Sequence, residues 1–158
     1  MERCVMREEQ ITKNILDWLE ENDWFIICYD FPQSGTGIML HQNIAHRVSK
    51  NKGGIIPDII AVKDQIALFF ENKDRFYQFD FDKLHEIKTQ QNYSESLASL
   101  LRNYNIDIIY YGIGIIDKAK EIDKALNHLE KVDFLLSINE NKEVKIYHDI
   151  ANIFTIQD

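Results

Sequence analysis

Pro57-Asp58 stands at one end of a largely apolar stretch and Glu71-Asn72-Lys73 at the other, with twelve residues between Asp58 and Glu71. If Asp64-Gln65 make a two-residue hairpin loop, Lys63 faces Ile66 and Asp58 comes directly opposite Glu71. Residues opposed in an antiparallel pair have β-carbons about 5 Å apart on one face of the sheet. Strand alternation puts Lys73 on that same face, and Pro57 is tolerated because the first residue of a strand need not donate to the ladder. Asp64-Gln65 is not a favoured hairpin dipeptide, and a bulge there would shift the register. Two convergent carboxylates suit Mg²⁺, which keeps several waters in its shell. A neighbouring lysine stabilises negative charge or helps deprotonate an attacking water. Phosphodiester hydrolysis needs those functions. The competing reading is a surface hairpin with exposed ion pairs worth ~0–1 kcal/mol. Against it, the charges terminate the strongly apolar runs Ile59-Ile60-Ala61-Val62 and Ile66-Ala67-Leu68-Phe69-Phe70.

Such strands need neighbours. Residues 7–22 carry Ile11, Ile15, Trp18 and Leu19 at helical spacing and predict a helix. Residues 24–30 read as a first strand, 31–54 as a long irregular loop, and 55–62 and 66–73 as the hairpin. Residues 81–104 are helical, broken near Asn92-Tyr93-Ser94, with Ser94 as the cap of a second piece. Residues 106–116 (IDIIYYGIGII) are apolar enough for a central strand covered on both faces. Gly112-x-Gly114 inside it implies close packing, since a dinucleotide loop would need a third glycine. A helix over 118–131 and strands over 133–138 and 144–148 follow. The expected architecture is α/β: a mixed sheet flanked by helices in the order α-βββ-α-β, with an added helix and a C-terminal hairpin. One domain is expected over 1–158, with its core at about 7–116 and an extension at 117–158.

At this point the residues meet a family. Pro57-Asp58 … Glu71-Asn72-Lys73, set between a first helix and strand and a following helix and strand, resembles the PD-(D/E)XK signature. That superfamily has the restriction-endonuclease-like fold and includes type II restriction enzymes and Holliday junction resolvases. Phe31-Pro32-Gln33-Ser34-Gly35-Thr36-Gly37 resembles the Ser-Gly segment of the resolvases. The resemblance implies a Mg²⁺-dependent DNA endonuclease, with Mn²⁺ as a substitute ion, leaving 5′-phosphate and 3′-hydroxyl ends. Asp58 and Glu71 would be metal ligands and Lys73 the catalytic lysine. Many such nucleases add a carboxylate from the first helix. Glu8 and Glu9 are the candidates, although the family's spacing falls nearer Thr12, and both also suit a helix N-terminus through its dipole. Ser34 is a candidate phosphate contact, or a turn residue beside Gly35.

Charge offers a separate hint. The chain has 18 Lys and Arg against 26 Asp and Glu, a net charge of −8, which excludes a protein that coats nucleic acid by bulk charge. Yet the 27 residues between Asp30 and Asp58 contain no acid and hold His41, His46, Arg47, Lys50 and Lys52. A local basic loop beside a metal site suits a phosphate backbone, and His46, Arg47, Lys50 and Lys52 are the expected DNA contacts. One short basic loop favours a restriction-type enzyme on double-stranded DNA over a resolvase, which needs a broad basic face. One site per chain favours a homodimer. Two rivals stay open: a catalytically inactive DNA-binding or assembly subunit of a defence complex, and a structural domain with no nucleic-acid role.

The remaining signals are plain. No apolar run approaches a membrane span and the first residues carry no signal-peptide core, so a cytoplasmic address is expected. Cys4 and Cys28 form no metal or redox pair and read as free thiols. His85, His128 and His148 lack the spacing of a ligand set, and Tyr104, Tyr110 and Tyr111 read as core.

Overall fold

A computed structural model of the chain describes residues 6–31, 36–44 and 53–154. Its six strands are β1 (Phe25–Tyr29), β2 (Ile59–Lys63), β3 (Ile66–Lys73), β4 (Ile108–Ile116), β5 (Phe134–Ile138) and β6 (Val144–Asp149). Its helices are α1 (Glu8–Glu21), α2 (Gln78–Gln90), α3 (Ser94–Leu101) and α4 (Ala119–Ala125), the last running into a 3₁₀ segment at Leu126–Lys131. The strands form one open sheet in chain order, β1-β2-β3-β4-β5-β6. β1, β2 and β3 are an antiparallel meander, β3, β4 and β5 run parallel, and β6 returns antiparallel to β5. This is an α/β fold with a mixed sheet flanked by helices. Among the described residues, no helix is long and apolar enough to cross a membrane.

Successive residues of β3 show how the layers are arranged. Asn72 donates to Thr12 on α1, whereas Glu71, on the opposite face by strand alternation, meets Lys83 on α2. The sheet therefore lies between α1 and α2. β3 is buried from Ala67 through Asn72, as expected of a central strand covered on both sides. Phe69, Phe70 and Phe134 are fully buried, and Phe134 meets Phe70 edge to face at 4.8 Å and Phe154 edge to face at 5.2 Å.

The chain departs from the sequence expectation in three places. β2 begins at Ile59 rather than at 55, because Ile55 pairs across to Leu40 in an isolated bridge before the proline. Ser94 is the first residue of α3 and makes no side-chain cap. Asn43, reaching over from the 36–44 loop, supplies it instead: its Oδ1 accepts from the Glu95 N–H at 2.9 Å and its Nδ2 donates to Ser94 Oγ at 2.9 Å. The helix expected over 118–131 tightens into 3₁₀ geometry after Ala125.

The two glycines of β4 are packing devices, as their setting suggested. A β-carbon at Gly112 would run into the ring of Phe134, and one at Gly114 into Ile15 of α1. Gly112→Ala should therefore destabilise the fold by about 1–3 kcal/mol through overpacking, read as a lower midpoint in urea. An unchanged midpoint would mean that β5 can move aside freely.

Candidate active site

The hairpin register places the first two acids. β2 and β3 pair as Lys63↔Ile66 through Ile59↔Phe70, the register that sets Asp58 against Glu71. The Asp64-Gln65 loop achieves this with a left-handed φ of 55° at Asp64, the sign that a primed hairpin turn needs at its first central residue. Asp58 lies just past the last strand pair. Its N–H donates to the Phe70 carbonyl at 3.2 Å, and its Oδ2 accepts from the Asn72 N–H at 2.7 Å. The side chain thus replaces a ladder carbonyl and is locked in place. Its own carbonyl accepts from Asp30 N–H at 2.9 Å, tying the position to the end of β1.

Around this pair the chain gathers two more acids and two lysines. Glu8, the first residue of α1, meets Lys73 Nζ at 3.2 Å. Asp80, in the first turn of α2, has its Oδ2 4.0 Å from the same ammonium. Lys83, one turn further along α2, bonds Glu71 Oε1. Glu71 and Asp80 are 4% and 5% exposed, so their carboxylates lie largely out of water. Asp80 Oδ2 is buried with no hydrogen-bond partner.

The electrostatics follow from that crowding. Asp58 is pushed from its usual 3.8 to about 9 by burial first, then by the Glu71 charge and a carboxyl–carboxyl hydrogen bond to Glu71, with Glu8 adding to it. Asp80 is raised to about 6, mainly by burial and then by Glu71, with Lys73 and Lys83 opposing. Burial works against the Lys73 ammonium, but Asp80, Glu8 and Asp58 outweigh it and hold its pKa above the ordinary value. Lys73 is a cation at neutral pH. With all six side chains ionised the cluster carries four negative and two positive charges, a deficit that one divalent cation would balance.

Of the residues singled out from the sequence, Asp58, Glu71, Lys73 and Glu8 come together here. Glu9 does not: it turns outward to an ion pair with Lys13 at 3.2 Å, both about half exposed. Ser34, His46, Arg47, Lys50 and Lys52 lie outside the described residues, as does Cys4. The stem of the basic loop is described, and it is anchored. His41 N–H donates to Ser96 Oγ at 2.9 Å, Asn43 N–H to the Asn92 carbonyl at 2.7 Å, and Tyr93 Oη to the Gly53 carbonyl. Asp80 and Lys83 escaped the sequence reading. Their signal was i, i+3 spacing on a helix directly after the motif; Lys83 fell inside the expected helix, but Asp80 did not, because the helix begins at Gln78 instead of 81.

The chain matches no protein-family model and no curated protein.

The other reactive groups stand apart. Cys28 is buried and free, and burial pushes its thiol up to about 11, so it is neither a thiolate ligand nor a nucleophile at neutral pH. His128 stacks on Phe76 at 5.2 Å, and His148 Nε2 lies 3.1 Å from the Val132 carbonyl.

Do these residues suit Mg²⁺? Among the described residues, no three His, Cys, Asp or Glu side chains are arranged to share one ion. Asp58 and Glu71 are two hard oxygen donors in mutual contact, short of positive charge, with the unpartnered Asp80 oxygen nearby. A two-carboxylate site that leaves most of the shell to water and substrate oxygen is the ordinary Mg²⁺ pattern. The donor set fits.

A carboxyl raised in the folded state binds its proton more tightly there than when unfolded. Its contribution to stability is complete below about pH 3.8 and is lost as pH rises towards 9 for Asp58 and towards 6 for Asp80. In EDTA the melting temperature should accordingly fall between pH 5 and pH 9, and added Mg²⁺ should restore more of it at pH 8.5 than at pH 5.5. Asp58→Asn, which keeps the acceptor for Asn72, should flatten both trends. A wild-type pH slope in that variant would reject the pairing of Asp58 with Glu71.

Proposed function

We propose that this protein is a divalent-metal-dependent DNA endonuclease of the PD-(D/E)XK type with a restriction-endonuclease-like core. The observation that carries the reading is the β2–β3 register that sets Asp58 opposite Glu71, with the Asp58 carboxylate fixed by the Asn72 N–H and Lys73 at the same strand end. The architecture supports it as well. A helix, a three-stranded meander bearing the acids, a helical crossover and a parallel strand occur in that order.

In this reading Asp58 and Glu71 would hold Mg²⁺, with Glu8, ion-paired to Lys73 at 3.2 Å, as a candidate auxiliary carboxylate. Bound there, the ion supplies Lewis acidity towards a phosphate oxygen and lowers the pKa of a coordinated water. The protein's own groups do the rest. Lys73, a cation held by Glu8 and Asp80, opposes the negative charge that develops on the scissile phosphate. Lys83 neutralises one oxygen of Glu71 and fixes that carboxylate from the α2 side. The Asn72 N–H fixes the Asp58 carboxylate through its 2.7 Å bond. DNA is gripped by the basic loop on its anchored stem, whose outgoing end runs directly into Pro57-Asp58. Cutting two strands calls for two such sites and hence a homodimer.

Asp58→Ala and Glu71→Ala should each reduce Mg²⁺-dependent plasmid cleavage to background while the protein remains folded by circular dichroism. Wild-type cleavage by either variant would refute the site. Replacing Arg47, Lys50 and Lys52 together should flatten the slope of log K against log salt by about 2–3, since each phosphate contact contributes about 0.9. An unchanged slope would free the loop from DNA contact.

A further inference from the structure

Directly after Lys73 the chain carries three aromatic rings with different fates. Phe76 turns inward, packing on Phe81 at 5.5 Å and on His128 at 5.2 Å. Tyr77 and Phe79 turn outward and are 46% and 59% exposed. They do not stand singly: their ring centroids are 5.7 Å apart, tilted by 33°. Isolated exposed apolar residues are ordinary, but a paired patch on the rim of a polar site calls for a partner.

The identity of that partner is written in what touches the patch. The Lys73 ammonium lies 5.4 Å from the centre of the Tyr77 ring and 4.0 Å from Asp80. One lysine therefore borders both the acid cluster and the aromatic surface. A nucleotide has the matching pair of features, an anionic phosphate and a flat base. Successive nucleotides of a strand advance by about 3.4 Å, so the two rings lie within the first few nucleotides of a phosphate held at Lys73. The rings are also firmly mounted. Tyr77 is the N-cap residue of α2, Phe79 its second residue, and the half-buried Phe76, packed against the core, anchors the segment.

Resting on the endonuclease reading, we infer that Tyr77 and Phe79 form a stacking platform for an unstacked nucleobase beside the scissile phosphate. In an intact duplex both faces of every base are covered by neighbours. Only an unpaired or extruded base presents a free face to protein rings, and each such contact contributes about 1–3 kcal/mol. The substrate class is then DNA with a disrupted base next to the cut. The base is either unpaired beforehand, in a branch, flap or mismatch, or drawn out of a duplex on binding.

The test uses full-length protein with Ca²⁺ in place of Mg²⁺, and 2-aminopurine placed next to the cut site in a paired duplex, a mismatched duplex and a flap. Wild-type protein should bind at least one of the disrupted substrates about tenfold more tightly than the duplex and change the probe's fluorescence. Tyr77→Ala/Phe79→Ala should erase both effects, while Phe79→Trp should retain them. A fluorescence change on the paired duplex too would identify extrusion by the protein; a change on disrupted DNA alone would identify prior unpairing. Equal affinity for all three DNAs in wild type and double variant would overturn the platform and leave the endonuclease reading standing. Loss of a dimer in sedimentation, with DNA affinities unchanged, would overturn it in favour of an interface between copies. Failure of wild-type protein to bind any of the DNAs or to cut in Mg²⁺ would remove the endonuclease reading itself. The exposed rings carry no core contacts, so matched melting temperatures will separate these outcomes from misfolding.

Discussion

Two carboxyl groups, Asp58 and Glu71, are set opposite each other at the end of a largely buried pair of strands, where burial weakens the screening of their repulsion. Neither can turn away. Asp58 is fixed by the Asn72 N–H and by the bond from Asp30 to its carbonyl, and Glu71 continues a strand whose preceding residues are fully buried. The surroundings answer this with positive charge. Lys83 comes from α2 and Lys73 from β3 itself, and Asp58 keeps its proton well above the ordinary carboxylate range. With Asp58 protonated the cluster is one charge short of neutral; once that proton leaves, two negative charges remain, which a divalent cation would balance. From that single constraint the proposed chemistry follows.

The architecture around β3 makes the crowding possible. α1 and α2 lie on opposite faces of the sheet, yet both begin at the same end of β3. Their first turns carry Glu8 and Asp80, positions where the helix dipole favours negative charge. Lys73 is the last residue of β3, and at the strand end its side chain reaches acids from both layers. One residue earlier or later in the pairing would send Glu71 to the α1 face among Thr12 and Ile15. The close approach of α1 is in turn permitted by Gly114, where a side chain would collide with Ile15 and Asn72. Packing far from solvent thereby controls the geometry of the acid cluster.

On the proposed reading, DNA would approach this cluster past two unlike borders. One is the loop stem, clamped to α3 by Asn43 and His41 and leading straight into Pro57. The other is the aromatic rim of Tyr77 and Phe79 at the start of α2. The first carries segments rich in positive charge and the second offers flat apolar surface. On the proposed reading they would divide the labour between backbone and base, with few cations needed on an acidic protein.

Much of this was legible in the residues. The apolar runs of β2, β3 and β4, the amphipathic stripe of α1 and the two-residue turn at Asp64-Gln65 are local patterns, and they predict the hairpin register that brings Asp58 to Glu71. That register depends only on period-two alternation and on loop length. The cap from Asn43, the outward turn of Glu9 and the entry of Asp80 and Lys83 were not legible in this way. Each depends on how separate elements meet across the sheet, and a difference of three residues in the start of α2 is enough to leave Asp80 off the expected helix. By itself, then, the sequence determined which acids could pair within one hairpin, because neighbours along a strand obey a short geometric rule. Only the tertiary structure decided which charges from the two helices join them, because that choice is made by packing over long distances, where no local pattern points the way.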